Sequence, residues 1–445
     1  MFRRARSLYS SSGRDGTLVR AVVGSAGLRV AGMGLGFLVG VQLARSLGPA
    51  GYGIYGIAMS LVSLAAIPSD LGLSLLVTRE SAIAEASVDR SRIRSLMNWT
   101  FRFVLANTAV VIVIALAAVT LNWSAMNGAL KPALLYGLAM LPLAAIAGIC
   151  GSALRGMQHV IKGQLFDMLL RPGLVSLGLF AFWISGDAHA LTPSLAMALN
   201  LLATVVGAGF MLCWLAPLLR GVPIHPLSRD TRRRWLHSAI PLALSEGMRV
   251  VLGNLAILIL GLLAQPAEVG LYRVAAGIYT TATLPSALLS VACSPMLAGL
   301  YAEGKKDAIQ RVNAWMALLL VFAAIAWLIP FVLMGSSILS IAFGHSYAAA
   351  NICLIILLAG ELAAAFIGHP IIVLNMLHHE KAVTKFSLVA LLINVGISMS
   401  LVPIYGGVGA AVGAALSQLT WRFLCRRYAL QNLGLESSLL AWRKG

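Results

Sequence analysis

The chain has 445 residues, of which 59% are hydrophobic and only 11% charged, with a mean hydropathy of +0.89 and a formal net charge of +18. A soluble domain carries roughly 25% charged residues, and one of this composition would expose apolar patches large enough to aggregate. An ordinary soluble protein is therefore excluded. So is a nucleic-acid partner, because the basic residues lie in short segments between apolar runs, a pattern that suits topology and anionic lipid headgroups.

Crossing the hydrocarbon takes about 20 apolar residues as helix. Twelve such runs are predicted, over 18–46, 53–78, 99–121, 132–154, 163–185, 191–219, 238–263, 268–298, 312–335, 350–376, 383–404 and 407–428. The first follows Arg3, Arg4, Arg6 and Arg14 and is too long for a cleaved signal, so it is read as a retained helix. Phe343-Gly344-His345 is placed at an interface. No stretch alternates apolar and polar residues as a membrane β-barrel requires. The five cysteines, Cys150, Cys213, Cys293, Cys353 and Cys425, show neither metal spacing nor a disulfide framework, and they read as small packing residues.

With the N-terminus inside, 25 of the 33 Lys and Arg residues fall in inside segments, and only Arg45 and Lys131 fall outside. This asymmetry places both termini in the cytoplasm. The expected organisation is a basic tail (1–17), a six-helix lobe (18–219), a basic linker (220–237), a second six-helix lobe (238–428) and a cytoplasmic tail (429–445). An internal repeat supports the two lobes. Pro49-Ala50, Gly53, Tyr55, Ala58, Ala65 and Pro68 recur as Pro266-Ala267, Gly270, Tyr272, Ala275, Ala282 and Pro285, each offset by 217 residues. Leu154 and His159 are echoed by Leu374 and His379 at an offset of 220. An even number of helices per half predicts a pseudo-twofold axis along the membrane normal, with the substrate path in a central cavity.

Charge inside an apolar helix costs roughly 2.5 to 3.5 kcal/mol per residue on insertion, so such residues usually face one another or water. Asp167/Arg171 and Glu246/Arg249 have helical spacing and read either as self-neutralising pairs or as parts of a site. Arg29, Arg171 and Arg249, on the first, fifth and seventh runs, are the candidate substrate-binding residues. A guanidinium fork matches phosphate oxygens and cannot lose its charge, so these arginines suit an anionic headgroup such as a pyrophosphate. Arg273, Arg102 and Arg422 lie near run ends and read as snorkelling side chains. Asp70 and Glu361 have no close basic partner in sequence. They read either as proton or Na⁺ sites or as packed, hydrogen-bonded acids. No catalytic constellation, Walker loop, metal spacing or cofactor motif is present in the sequence.

Arg29 followed by Ala44-Arg45-Ser46-Leu47-Gly48-Pro49-Ala50-Gly51-Tyr52-Gly53 resembles the first-helix signature of polysaccharide-type flippases. These belong to the multidrug/oligosaccharidyl-lipid/polysaccharide exporter superfamily. Leu154-Arg155-Gly156, Val269-Gly270-Leu271-Tyr272, Phe343-Gly344-x-x-Tyr347 and the stretch from Asn394 to Ala415 are similar to that family, in its order and over nearly the whole chain. The resemblance implies a V-shaped, all-α bundle of two six-helix lobes around a cationic cavity, working by alternating access in the bacterial inner membrane. The implied cargo is an undecaprenyl-pyrophosphate-linked oligosaccharide for O-antigen, capsule or exopolysaccharide. Polysaccharide polymerase and chain-length machinery are possible partners. Competing readings are a drug/cation antiporter of the same superfamily, a non-transporting scaffold of a glycan-assembly complex, and a membrane glycosyltransferase. The arginines count against the antiporter, since organic cations favour acidic or aromatic cavities. The short outside connections count against the glycosyltransferase.

Overall fold

A computed structural model describes residues 14–121, 126–185, 191–226, 228–377 and 379–438. The expected basic tail up to residue 13 and the end of the C-terminal tail from 439 lie outside them. The described residues are helical with short connections and contain no strand. In chain order the helices are α1 (Arg14–Asp70), α2 (Leu73–Ala86), α3 (Arg90–Leu121), α4 (Leu130–Gly156), α5 (Val160–Leu165), α6 (Arg171–Ile184) and α7 (Pro193–Leu219). They continue with α8 (Arg229–Leu263), α9 (Pro266–Ala282), α10 (Leu284–Ala302), α11 (Lys306–Phe343), α12 (Ala350–Ile367), α13 (Pro370–Met376), α14 (Glu380–Tyr405) and α15 (Gly407–Leu433). A π-helical turn, Phe166–Leu170, joins α5 to α6.

Ten helical stretches among the described residues are long and apolar enough to cross a membrane, against twelve expected. The runs 18–46 and 53–78 are two helices that meet at a non-helical kink at Gly48 (φ 66°, ψ 175°) within α1, and together they count as one of the ten stretches. That left-handed φ is cheap only for glycine. The run 407–428 is helical within α15, but Gln418, Arg422 and its many glycines dilute its apolarity. Other expected runs are interrupted. The second stops after Asp70, at Leu71 and Gly72 with φ 47° and 72°. The run 350–376 breaks at Gly368 (φ 82°), two residues before Pro370, where the residue preceding proline is disfavoured as helix.

The sequence repeat has a backbone counterpart. The N–H of His159 donates to the carbonyl of Leu154 at 2.8 Å, and that of His379 to Leu374 at 2.9 Å. Asp89 donates likewise to Ala84 at 2.9 Å and Lys305 to Leu300 at 3.0 Å. Each is a six-to-one bond of the kind that closes a helix, and the residues before three of them, Val88, Gln158 and Gly304, are left-handed. The echo between 154–159 and 374–379 is thus a shared helix-ending turn, and the turn at 84–89 recurs at 300–305.

Contacts divide the chain into two units, 1–46 with 58–250 and 47–57 with 251–445. The first is built on a core of Leu73, Leu76, Ile93, Leu96, Ile149, Leu154 and Met211, with Trp235 packed into it. In the second, Leu297, Ile309, Met316, Ile372, Val373 and Leu435 pack together. Outward-facing positions stay apolar: Leu121, Leu262, Leu333 and Ile341 are each more than two-thirds exposed, as side chains solvated by lipid are. Within the second unit, the segment 47–57 crosses α9 at backbone contact. A Cβ on Gly53 would collide with the carbonyl of Pro266, and one on Gly270 with the carbonyl of Pro49. Pro49/Pro266 and Gly53/Gly270 are repeat partners, so this approach is reciprocal, as a local twofold axis requires.

Candidate functional site

Three helices, α1, α6 and α8, and the π turn of the first unit carry Arg29, Asp70, Asp167, Arg171, Glu246 and Arg249. Asp70 ends α1, and its carboxylate accepts from the Ser74 hydroxyl at 2.8 Å and the Ser74 N–H at 3.4 Å. Asp70 lies within electrostatic reach of Arg155 at the end of α4 and of Glu246 on α8. Arg155 is held by the Gly163 carbonyl at 2.9 Å and the Ser152 hydroxyl at 2.7 Å. It also interacts with Asp167.

Asp167 sits on the π turn and is exposed. π turns are rare and frequent at functional sites. This one also opens the spacing of Asp167 and Arg171, which interact electrostatically while Arg171 Nη2 meets the sulfur of Met140 at 3.6 Å. Arg249 is exposed and clasped by Glu246: Nε donates to Oε2 at 3.0 Å and Oε1 at 3.2 Å, and Nη2 donates to Oε1. Arg29 is exposed on a length of α1 that runs beside α5 and the π turn. Ser25 Oγ donates to Gln164 Oε1 at 2.8 Å on one side of it, and on the other a Cβ at Gly32 would stand 2.7 Å from the Met168 carbonyl.

The first unit therefore brings Asp70, Arg155, Asp167 and Arg171 into one electrostatic neighbourhood and links Asp70 to Glu246. Arg155 was not among the candidate residues. Its sequence signal was only its place in Leu154-Arg155-Gly156.

Glu361 belongs to the second unit and has a partner that lies 61 residues away. Its Oε1 accepts from Arg422 Nη2 at 2.8 Å, and its Oε2 accepts from Tyr279 Oη at 2.9 Å and Gln418 Nε2 at 2.6 Å. Both charged side chains are buried, with 5% of each residue exposed. The snorkelling expected of Arg422 is thus corrected: α15 turns it inward onto α12. Arg273 does not snorkel either. Its guanidinium lies over the rings of Tyr52 and Tyr55, 5.2 and 5.0 Å from their centroids, a cation–π clamp. Among the described residues, no group of three or more His, Cys, Asp or Glu is placed to hold a metal ion.

A many-helix, apolar-surfaced protein that keeps charged clusters inside its helices has the organisation of a membrane transporter. The chain matches the family described as "Polysaccharide biosynthesis protein" over residues 18–300, and it belongs to that family. The capsular polysaccharide biosynthesis protein CapF of Staphylococcus aureus is 28% identical over 182 residues, 40% of this chain and 45% of that protein, so the match spans less than half of that relative. An inward-facing MATE family multidrug resistance transporter of the MOP superfamily superposes with a TM-score of 0.74 at 15% identity, over 92% of this chain and 98% of that one. The lipid II flippase MurJ, in an inward closed conformation, superposes with a TM-score of 0.71 at 12% identity, over 92% and 87%. The resemblance drawn from Arg29 to Ala415 is borne out. The chain is a multi-pass membrane protein with the fold of transporters and flippases.

Proposed function

We propose that the protein is a flippase of the bacterial inner membrane, with both termini cytoplasmic. It carries an undecaprenyl-pyrophosphate-linked oligosaccharide from the inner to the outer leaflet by alternating access, for surface polysaccharide synthesis. The observation that carries this reading is the charged neighbourhood of the first unit in a chain of the polysaccharide biosynthesis family. In this reading Arg29, Arg171 and Arg249 contact the pyrophosphate, and Asp70, Asp167 and Glu246 position or neutralise them. Arg29 is exposed, and Arg171 is half-buried against a weak sulfur acceptor. Arg249 is engaged by Glu246, so binding through it calls for that pair to open or for Glu246 to hold the fork in place. Glu361 serves the second unit as the partner of Arg422 rather than as a coupling site.

Each charge-assisted contact to phosphate contributes about 1.5 to 3 kcal/mol, so loss of one arginine lowers affinity roughly ten- to a hundredfold. Arg→Lys keeps the charge but loses the fork, and a partial defect is expected. The test is surface-polysaccharide production in a strain lacking the protein, complemented with Arg29→Ala, Arg171→Ala and Arg249→Ala together at matched membrane expression. Export is expected to be lost, and export at the wild-type level overturns the site.

A further inference from the structure

We infer that the first unit carries a second anion site, built to hold a phosphate group, where α2 meets the N-terminal ends of α3 and α8. A cavity of about 570 Å³ opens there and is lined by Arg79, Arg92 and Arg234, with Glu80 as its one carboxylate. None of these residues belongs to the proposed pyrophosphate contacts. Glu80 is buried, its side chain 7% exposed, and each of its oxygens takes a different arginine: Oε1 meets Arg79 Nη2 at 3.2 Å and Oε2 meets Arg92 Nη2 at 2.8 Å. The two arginines keep 50% and 41% of their side-chain surface. One buried acid thus draws two forks together and leaves their remaining N–H groups to the cavity. Arg234 adds a third guanidinium and leaves the lining with excess positive charge.

The first turn of α8 contributes as well. The Ser228 hydroxyl accepts from the Thr231 N–H at 3.1 Å, and Thr231 lines the cavity, so the positive end of a long helix faces the same space. Guanidinium forks beside a helix N-terminus suit an oxyanion such as a phosphate group.

The position says which phosphate is at hand. Arg92 lies in the first turn of α3 and Arg234 in the second turn of α8, with Arg79 midway along the short helix α2, so the cavity is at the level where the apolar spans α3 and α8 begin. Trp235, which lines the cavity, is buried against Trp99 with ring centroids 5.4 Å apart. The phosphodiester of an anionic phospholipid is therefore the ligand in reach, and soluble phosphate is the other source of the same chemistry.

The test uses the purified full-length protein in an uncharged detergent and phosphate-free buffer. Phosphatidylglycerol, phosphatidylcholine and inorganic phosphate are titrated separately. Retained lipid is counted by native mass spectrometry, and the melting midpoint is followed in parallel. Phosphatidylglycerol is expected to be retained and to raise the midpoint, and phosphatidylcholine is not. Arg92→Gln should weaken retention by about fivefold, since exposed charges are screened, and Arg79→Gln with Arg92→Gln and Arg234→Gln should abolish it.

Glu80→Gln is the discriminating variant. It makes the pocket more positive but loosens the forks, because the amide keeps one acceptor oxygen and turns an N–H donor toward the other arginine. A built site then binds more weakly, whereas mere attraction to positive charge binds more tightly, and tighter binding overturns the proposal. Response to inorganic phosphate without response to phosphatidylglycerol keeps the anion site and assigns it to soluble phosphate. Equal binding by wild type and the triple variant, or no response to either anion, overturns it. Because none of these residues touches the proposed cargo, loss of the site leaves the flippase reading standing, and failure of that reading leaves the site testable.

Discussion

Removing the charge of Glu361 should destabilise the second unit more than removing that of Arg422, and removing both should cost less than removing Glu361 alone. Glu361 accepts three hydrogen bonds, from Arg422, Tyr279 and Gln418, and both charged residues are 5% exposed. Deleting one partner of a buried ion pair costs about 3 to 5 kcal/mol, because the survivor stays buried and uncompensated. The two survivors differ. Arg422 cannot shed its charge, and its Nη1 already lacks a hydrogen-bond partner. A stranded Glu361 can neutralise itself by taking up a proton and keeps its bonds to Tyr279 and Gln418. Glu361→Gln is therefore expected to cost the full ~3 to 5 kcal/mol. Arg422→Met should cost about 1 to 3 kcal/mol, the price of one lost partner, and the double variant less than Glu361→Gln. Unfolding in mixed micelles, read as a double-mutant cycle, measures all three. Single variants within about 1 kcal/mol of wild type, or a double variant worse than Glu361→Gln, would refute the buried pair.

Further outcomes follow from other contacts. Gly53→Ala and Gly270→Ala each push a Cβ into the carbonyl of Pro266 or Pro49, an overpacking of about 1 to 3 kcal/mol. Since one shift of the crossing relieves both, the double variant should cost clearly less than their sum in the same assay, and strict additivity would contradict the reciprocal approach. Glu436 is buried, which raises its pKa. Hydrogen bonds from Arg426 (Nε to Oε1 at 2.7 Å) and from Ser438 outweigh this and leave it lowered to about 2. A depressed carboxyl stabilises fully above its unfolded value and loses that contribution as pH falls. The melting midpoint should thus fall between pH ~4.5 and ~2, and Glu436→Gln should flatten that slope; an unchanged slope would contradict it. Cysteines at Gly344 should label from outside, and those at Arg232 and Lys305 only after permeabilisation. Outside labelling at Arg232 would overturn the topology. The outside connection containing Asp187, which lies beyond the described residues, can be probed in the same way.

The membrane class, most of the helices and the family were legible in the sequence because they depend on local composition and on motifs kept in order. The repeat was legible in the same way, and Leu154/His159 and Leu374/His379 proved to mark the same helix-ending turn. What stayed hidden depends on which helix faces which. Glu361 and Arg422 lie on α12 and α15, and no spacing rule links residues 61 positions apart. Arg273 looked like a snorkelling end charge until α9 crossed the segment that carries Tyr52 and Tyr55. Glu246/Arg249 was visible because i,i+3 spacing survives in a regular helix. Asp167/Arg171 has i,i+4 spacing, but the π turn alters its geometry, and hydropathy carries no signal for such a turn. The kink at Gly48 falls between the runs 18–46 and 53–78, where the sequence separates two helices.

The most direct test of the proposed activity is translocation by the purified protein. Undecaprenyl-pyrophosphate-linked oligosaccharide is placed in both leaflets of proteoliposomes, and the outer-leaflet glycan is removed with a membrane-impermeant glycosidase. A flippase delivers the inner pool to the enzyme, so digestion should run past the outer-leaflet fraction to completion. The variant lacking Arg29, Arg171 and Arg249 should stop at that fraction, as protein-free vesicles do. Wild-type protein that also stops there, in vesicles shown to hold it folded, would contradict the account.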